Sequence, residues 1–172
     1  MHLRVEQRYP ASVSRVGQVL ADEAFVRWRA ERSGGSGSEV MQVDVTGTPD
    51  HGFTVTVRRT LPSGQIPAQA RPFVGSRLEI RQVEAWEPEH DGVRRGTVSL
   101  EITGAPVRLT GTVTLASDSD PGSDAPSTVQ EYDGEVRASL PLFASAIEDA
   151  AATAVRAALS AEEAAGQHWL AG

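Results

Sequence analysis

A small set of polar and aromatic side chains falls on strand faces that are otherwise apolar, and these residues are the ones best placed to do chemistry. Every second side chain of a strand points to the same face of a sheet. Continuing each apolar alternation therefore places the following residues inward: Gln7, Arg59, Gln82, Glu84, Trp86 and Tyr132. An isolated buried charge is strongly disfavoured, so Arg59 and Glu84 must either pair or line a wet cavity. There they would orient the polar head of an apolar ligand or transfer protons in an enzyme.

A β-bulge would place the same side chains on the opposite face of the sheet. One extra residue in a strand shifts the register by one and turns these side chains to the outer face. Val83 and Ala85 would then face inward in place of Gln82 and Glu84. The sequence leaves both arrangements open.

Other combinations of residues form no recognisable catalytic or metal-binding motif. The chain has no cysteine, which excludes disulfides, thiolate metal sites and a cysteine nucleophile. Its histidines lack the His-x-x-x-His spacing of a metal site: His2, His51, His90 and His168. Asp118, Asp120 and Asp124 resemble calcium ligands but lack the bidentate acid and flanking helices of an EF-hand. We therefore predict no metal, no cofactor and no assigned catalytic residue.

The elements that would position these residues follow from the spacing of apolar side chains. A strand over residues 2–9 precedes two short helices, which Ser12 and Asp22 are expected to cap. About six antiparallel strands follow, around residues 41–45, 53–57, 78–86, 97–103, 107–115 and 128–140. Residues 116–127, rich in Ser, Asp, Pro and Gly, are expected to form a mobile hairpin loop. The length fits one domain, over residues 1–172.

The C-terminal segment predicts a long amphipathic helix that starts near Pro141 and ends near Gly166. One face of this helix carries mostly small or apolar side chains: Phe143, Ile147, Ala150, Ala151, Ala154, Val155, Ala158 and Leu159. Such a helix is the natural cover for the apolar face of an antiparallel sheet. Its alanines either allow very close packing or leave space beneath the helix.

Composition and charge argue against some classes of protein. The chain has 172 residues, 40% of them hydrophobic, and all 16 basic residues are arginine. The absence of lysine and asparagine suggests a GC-rich bacterial genome. A net charge of -7 argues against a nucleic-acid-binding module. No apolar run approaches a membrane span or a signal peptide, so we expect a cytoplasmic protein.

Several framework motifs carry a resemblance to a known superfamily. They are Tyr9-Pro10-Ala11-Ser12 with the helix pair after it, Gly75-Ser76-Arg77-Leu78 leading to Glu84-Ala85-Trp86, Gly104-Ala105-Pro106-Val107 with Gly111, and Gly134-Glu135-Val136 running into Leu140-Pro141-Leu142. With these motifs the chain resembles the START/polyketide-cyclase (SRPBCC, helix-grip) superfamily. Within it, the chain is similar to an actinobacterial family of uncharacterised proteins. The resemblance implies an α+β, START/Bet v-like fold, in which a curved antiparallel sheet of about seven strands wraps a long C-terminal helix. It also implies a deep cavity for an apolar small molecule, but no particular reaction.

The leading hypothesis is a non-enzymatic protein that binds a hydrophobic, lipid-like or polyketide-like molecule between sheet and helix. We expect the cavity lining to include Arg59, Gln82, Glu84, Trp86, Leu100, Leu109, Tyr132, Phe143, Ile147, Ala151, Ala154 and Ala158. One alternative is a cyclase or hydratase-type enzyme, in which Glu84, Arg59 or Tyr132 transfers protons. A second alternative is an interaction module, such as a homodimer, which would display a large apolar patch outside the cavity.

Overall fold

The computed structural model describes residues 1–62, 66, 68, 71–75, 78–118, 125–140 and 142–172. Seven strands and three α-helices follow the predicted order. Their bounds are β1 His2–Tyr9, α1 Val13–Leu20, α2 Glu23–Ser33, β2 Val40–Thr48, β3 Gly52–Leu61, β4 Leu78–Trp86, β5 Arg94–Thr103, β6 Val107–Ser117, β7 Thr128–Ala138 and α3 Ala144–Leu170. A short 3-10 helix, Arg71–Phe73, lies in the connection between β3 and β4. None of the helices in these ranges is both long and apolar enough to cross a membrane.

All seven strands form one antiparallel sheet in the order β1-β7-β6-β5-β4-β3-β2. The pairing of β3 with β4 runs without a shift from Phe53 opposite Trp86 to Leu61 opposite Leu78. Because this pairing contains no bulge, side chains alternate between the two faces of the sheet along the whole of β3 and β4. Arg59 and Glu84 therefore point inward, and both are buried. The arrangement with Val83 and Ala85 inward is excluded.

The two short helices begin where the sequence predicts their caps. The Ser12 hydroxyl accepts a hydrogen bond from the Arg15 backbone N–H at 3.2 Å. The Asp22 carboxylate accepts one from the Ala24 N–H at 2.9 Å. Both helices then turn their apolar side chains into the core, which they share with the concave face of the sheet.

Glycines at inward positions allow the sheet to curve sharply. Gly111 on β6 lies opposite Gly134 on β7. A Cβ atom on Gly111 would stand 2.3 Å from the carbonyl oxygen of Asp133, so no side chain fits there. Glycine at such positions is the usual device for bending a strand pair. The bend lets the sheet wrap around α3.

The long helix extends beyond its predicted C-terminal end. It begins at Ala144, and Pro141 lies outside the described residues. The prediction that it ends at Gly166 is wrong, because it continues to Leu170. Gly166 packs on the Tyr9 ring so closely that a Cβ would lie 2.4 Å from Tyr9 Cε1.

The last helical turn anchors α3 on α2 through aromatic contacts. The Trp169 ring meets Phe25 at a centroid distance of 5.5 Å and Trp28 at 5.3 Å. His168 stacks on Trp28 at 5.7 Å. The C-terminus of the chain is thus held on α2 by stacked and tilted rings.

The hairpin between β6 and β7 is shorter than the predicted loop over 116–127. Ala116 and Ser117 belong to β6 and pair with β7. The Asp118 carboxylate receives a hydrogen bond from Arg8 Nε at 3.0 Å. Residues 119–124, with Asp120 and Asp124, lie outside the described residues.

Candidate functional site

A space of about 740 Å³ lies between the concave face of the sheet and α3. Its walls are mostly aliphatic. The sheet contributes Leu3, Leu61, Ile80, Val98, Leu100, Ile102, Val107, Leu109 and Val136, and α3 contributes Ala150, Ala151, Ala154, Val155, Ala157, Ala158, Leu159 and Ala161. The end of α2 and the loop after it close one side with Arg32, Ser33, Gly34 and Gly35.

The alanines of α3 border this space. Ala151 and Ala158 are half-buried or better, whereas Ala154 is exposed although it lines the space. Thr153 and Ala157 are also exposed and also line the space. The space therefore opens to solvent beside α3. Of the two arrangements open from sequence, these alanines adopt the one that leaves room next to the sheet.

The residues predicted to line a cavity divide into two groups. Eight of them line this space: Arg59, Gln82, Leu100, Leu109, Tyr132, Ala151, Ala154 and Ala158. Four do not: Glu84, Trp86, Ile147 and Phe143. Ile147 is buried in the core near the start of α3.

Phe143 is the clearest error among the predicted lining residues. Its side chain is 47% exposed. The helix begins only at Ala144, and Phe143 precedes it with φ of -128°. Helical spacing extrapolated to residue 143 therefore gives the wrong direction.

Glu84 lies beneath the space, at the centre of a hydrogen-bonded cluster. Its Oε1 accepts bonds from Gln82 Nε2 and from the Tyr132 hydroxyl, both at 2.9 Å. Its Oε2 accepts one from Trp86 Nε1 at 3.1 Å. Three donors without formal charge thus satisfy a carboxylate that is only 1% exposed.

Tyr132 links this cluster to the space above it. Its hydroxyl donates to Glu84 and accepts a bond from Gln130 Nε2 at 2.6 Å. Burial, and then the nearby charge of Glu84, raises the pKa of Tyr132 well above its ordinary value. The residue is therefore a neutral hydroxyl at physiological pH.

A second polar cluster lies at the end of the space nearest α2. Arg59 Nη1 donates to the Ser33 hydroxyl at 2.8 Å. That hydroxyl is 3.5 Å from Glu162 Oε1. Glu162 Oε2 stands 3.7 Å from Arg29 Nη1, forming a buried ion pair. Side chains from β3, α2 and α3 thus meet at one point.

The two arginines of this cluster respond differently to their surroundings. Burial alone would lower the pKa of Arg29, but the charges of Glu162 and Glu84 outweigh it and raise that pKa. For Arg59 burial prevails, so its pKa lies below the ordinary value despite the opposing charge of Glu162. Arg59 is the more weakly compensated cation.

Arg29, Ser33 and Glu162 are site residues that are not among those predicted from the sequence. A helical-spacing signal exists on α2, because Arg29 and Ser33 follow the buried Phe25 at steps of four residues. Glu162 likewise follows the buried Leu159 by three residues. Gln7, predicted to face inward, does so, but it binds α3 by donating to the Leu159 carbonyl at 2.6 Å.

The described residues offer little for metal ligation or for association through an apolar surface. No group of three or more His, Asp or Glu side chains in the described ranges is arranged to hold a metal ion. Within the same ranges, the exposed large apolar side chains are Met1, Met41, Leu142 and Phe143. Leu142 and Phe143 form a small pair next to α3.

A curved seven-stranded antiparallel sheet that wraps a long C-terminal helix defines the helix-grip class of fold. A solved structure of an uncharacterized protein from Rhizobium leguminosarum shares it, with 12% identity, a TM-score of 0.56 and coverage of 98% of this chain and 95% of that one. Norcoclaurine synthase from Thalictrum flavum also has this fold, with 15% identity, a TM-score of 0.52 and coverage of 95% of this chain and 84% of that one. At such identities the likeness concerns the fold alone.

The sequence itself defines a narrower group. The model of the family described as "Protein of unknown function (DUF2505)" matches residues 4–170. The chain belongs to this family. No curated protein sequence matches the chain.

Proposed function

We propose that the protein binds a hydrophobic small molecule, lipid-like or polyketide-like, in the space between sheet and α3. The observation that carries this proposal is a space of about 740 Å³ whose walls are mostly aliphatic and whose lining includes the buried polar side chains of Arg59, Tyr132 and Glu162. Small-molecule sites commonly have volumes of roughly 300–1,000 Å³, apolar walls and a few convergent polar groups.

The energetics of the alanines support the same proposal. A void left by small side chains in a core typically costs roughly 2–5 kcal/mol per missing leucine-sized group. A bound apolar molecule would restore the missing contacts of Ala151 and Ala158. The norcoclaurine synthase structure is described as a complex with dopamine and hydroxybenzaldehyde, which supports small-molecule binding as a use of this fold.

Native mass spectrometry on protein isolated from its own host tests the proposal. We expect a co-purifying apolar molecule on the wild-type chain and its loss in Ala158→Phe, which fills the space. Ala164→Phe is the matched control, because Ala164 is exposed on the same helix and does not line the space. A wild-type chain that carries no adduct, and that no apolar compound stabilises against heat, would contradict the proposal.

One observation favours an enzyme of the cyclase or hydratase type as a second candidate. Tyr132 lines the space and its hydroxyl donates to the Glu84 carboxylate at 2.9 Å, so the pair could move a proton at a bound substrate. In that case Tyr132→Phe and Glu84→Gln would abolish turnover of a polyketide-like substrate while leaving its binding intact. Turnover that survives both substitutions would exclude this role.

A further inference from the structure

We propose that the ligand of this space is an amphipathic carboxylic acid, whose carboxylate is held by Arg59. This inference rests on the proposed function and names the chemistry of the ligand's head. It depends on the environment of Arg59 within the second polar cluster.

Arg59 is a buried cation with one hydrogen-bond partner in the described part of the chain. Its side chain is 5% exposed and lines the space. Among the described residues, its Nη1 bond to the Ser33 hydroxyl is its one hydrogen bond, and no carboxylate oxygen lies within 4.0 Å of its guanidinium. A buried guanidinium without a carboxylate in direct contact is costly. Its surroundings therefore favour the binding of an anion.

The acidic residues nearby are already engaged. Glu162 forms its ion pair with Arg29 and reaches Arg59 through the Ser33 hydroxyl, so its charge acts on Arg59 without direct contact. Glu84 is satisfied by its three donors. It also lies four residues along β4 from Ile80, the residue opposite Arg59, which corresponds to roughly 13 Å of strand. Among the described residues, Arg59 thus has no carboxylate in direct contact, and a monoanion in the space would supply that contact.

The free donors of Arg59 suit a carboxylate in geometry as well as charge. A guanidinium carries five N–H donors in a rigid fork, and Ser33 engages Nη1. No described residue engages Nε or Nη2, and two parallel N–H donors bind the two oxygens of a carboxylate. Leu61, Ile80 and Ile102 line the same space, so an apolar chain would continue directly from that head group.

Isothermal titration calorimetry on the full chain tests the inference with three probes of one chain length: a saturated long-chain fatty acid, the corresponding alcohol and the corresponding amine. We expect the acid to bind at least about tenfold more tightly than the alcohol, which is roughly the gain from one charge-assisted contact. The amine should bind more weakly than the alcohol. Equal affinities for acid and alcohol would overturn the inference while leaving the proposed function standing.

Substitutions test whether Arg59 causes the preference for the acid over the alcohol. Arg59→Gln should reduce the acid-to-alcohol preference to about one without changing the affinity for the alcohol. Arg58→Gln is the matched control, because Arg58 is the adjacent residue on the outer face, where it pairs with Glu79 at 3.0 Å. It should leave the preference intact. Arg59→Lys keeps the charge without the fork, so it should retain a reduced preference even if Arg59→Gln fails to fold.

Two results would overturn the inference in distinguishable ways. A preference that is lost in Arg32→Gln but kept in Arg59→Gln would assign the anion to the exposed rim of the space. Failure of all three probes to bind would overturn the carboxylic-acid inference. It would overturn the proposed function as well only if native mass spectrometry also finds no apolar adduct.

Discussion

The two tyrosines of the chain, Tyr9 and Tyr132, are both buried hydroxyls with hydrogen-bond partners. Burial raises the pKa of each above the ordinary value of 10.0. The unfolded chain therefore releases these protons first as the pH rises. The stability contributed by the neutral hydroxyls is complete below about pH 10 and is lost above it.

We predict that tyrosinate absorbance rises together with loss of the native circular dichroism spectrum in an alkaline titration. Tyr132→Phe should halve the tyrosinate amplitude, since one tyrosine remains. Appearance of half the tyrosinate signal near pH 10, with a native spectrum, would show that one hydroxyl is accessible in the folded protein.

The Arg29–Glu162 pair gives a second prediction at this scale. Glu162→Gln leaves the Arg29 charge buried without its carboxylate, and breaking a buried pair in this way costs about 3–5 kcal/mol. Urea denaturation should show that loss, and the double variant Arg29→Leu/Glu162→Leu should recover most of it. Glu135→Gln, in an exposed pair with Arg137, is the control and should change stability little. Equal losses in the single and double variants would contradict a pairing role.

Strand positions are the more predictable part of the site. The sequence places Arg59 and Tyr132 inward correctly because the strand alternation is regular and the pairing of β3 with β4 has no shift. Arg29 and Glu162 escape prediction because each is a charged residue on a helix, where charge ordinarily indicates the solvent side. Their spacing from Phe25 and Leu159 places them on the buried side, but the meeting of α2 and α3 that buries them is a tertiary contact.

Among the elements, α3 shows how tertiary contact overrides a local signal. Glycine near the end of a helical pattern typically marks its C-terminus. Here Gly166 is instead the point where α3 passes over the Tyr9 ring, and the helix continues for another turn. The long apolar period of the helix is visible in sequence, whereas this close approach is not.

We predict that Gly166→Ala destabilises the protein, although the same change in an exposed helix would stabilise it by up to about 1 kcal/mol. A Cβ at this position would lie 2.4 Å from Tyr9 Cε1, so the ring or the helix must shift. Thermal unfolding provides the measurement. Ala164→Gly, at an exposed position of the same helix, is the control for propensity alone. A higher melting temperature for Gly166→Ala would contradict the close packing.

At the scale of the whole molecule, the space beside α3 depends on every layer at once. Inward glycines bend the sheet, Gln7 binds the helix to β1, and the aromatic contacts of Trp169 hold its end on α2. The class of fold and the alanines that border the space are predictable from the sequence. The volume of the space and its opening beside Ala154 follow from the distance between helix and sheet, which is set by those long-range contacts together.

Filling the space should separate stability from binding. Ala151→Leu adds three carbons at a lining position, and at about 0.8 kcal/mol per buried CH₂ it should raise the free energy of unfolding of the ligand-free chain by roughly 2 kcal/mol. The same side chain occupies volume that a ligand needs, so a bound fatty acid should stabilise the variant much less than the wild type. Ala164→Leu, exposed and away from the space, should alter neither quantity appreciably. Denaturant titrations with and without ligand measure both effects. If Ala151→Leu instead destabilises the ligand-free chain while ligand binding persists, the helix already packs tightly against the sheet at this position and the ligand lies elsewhere.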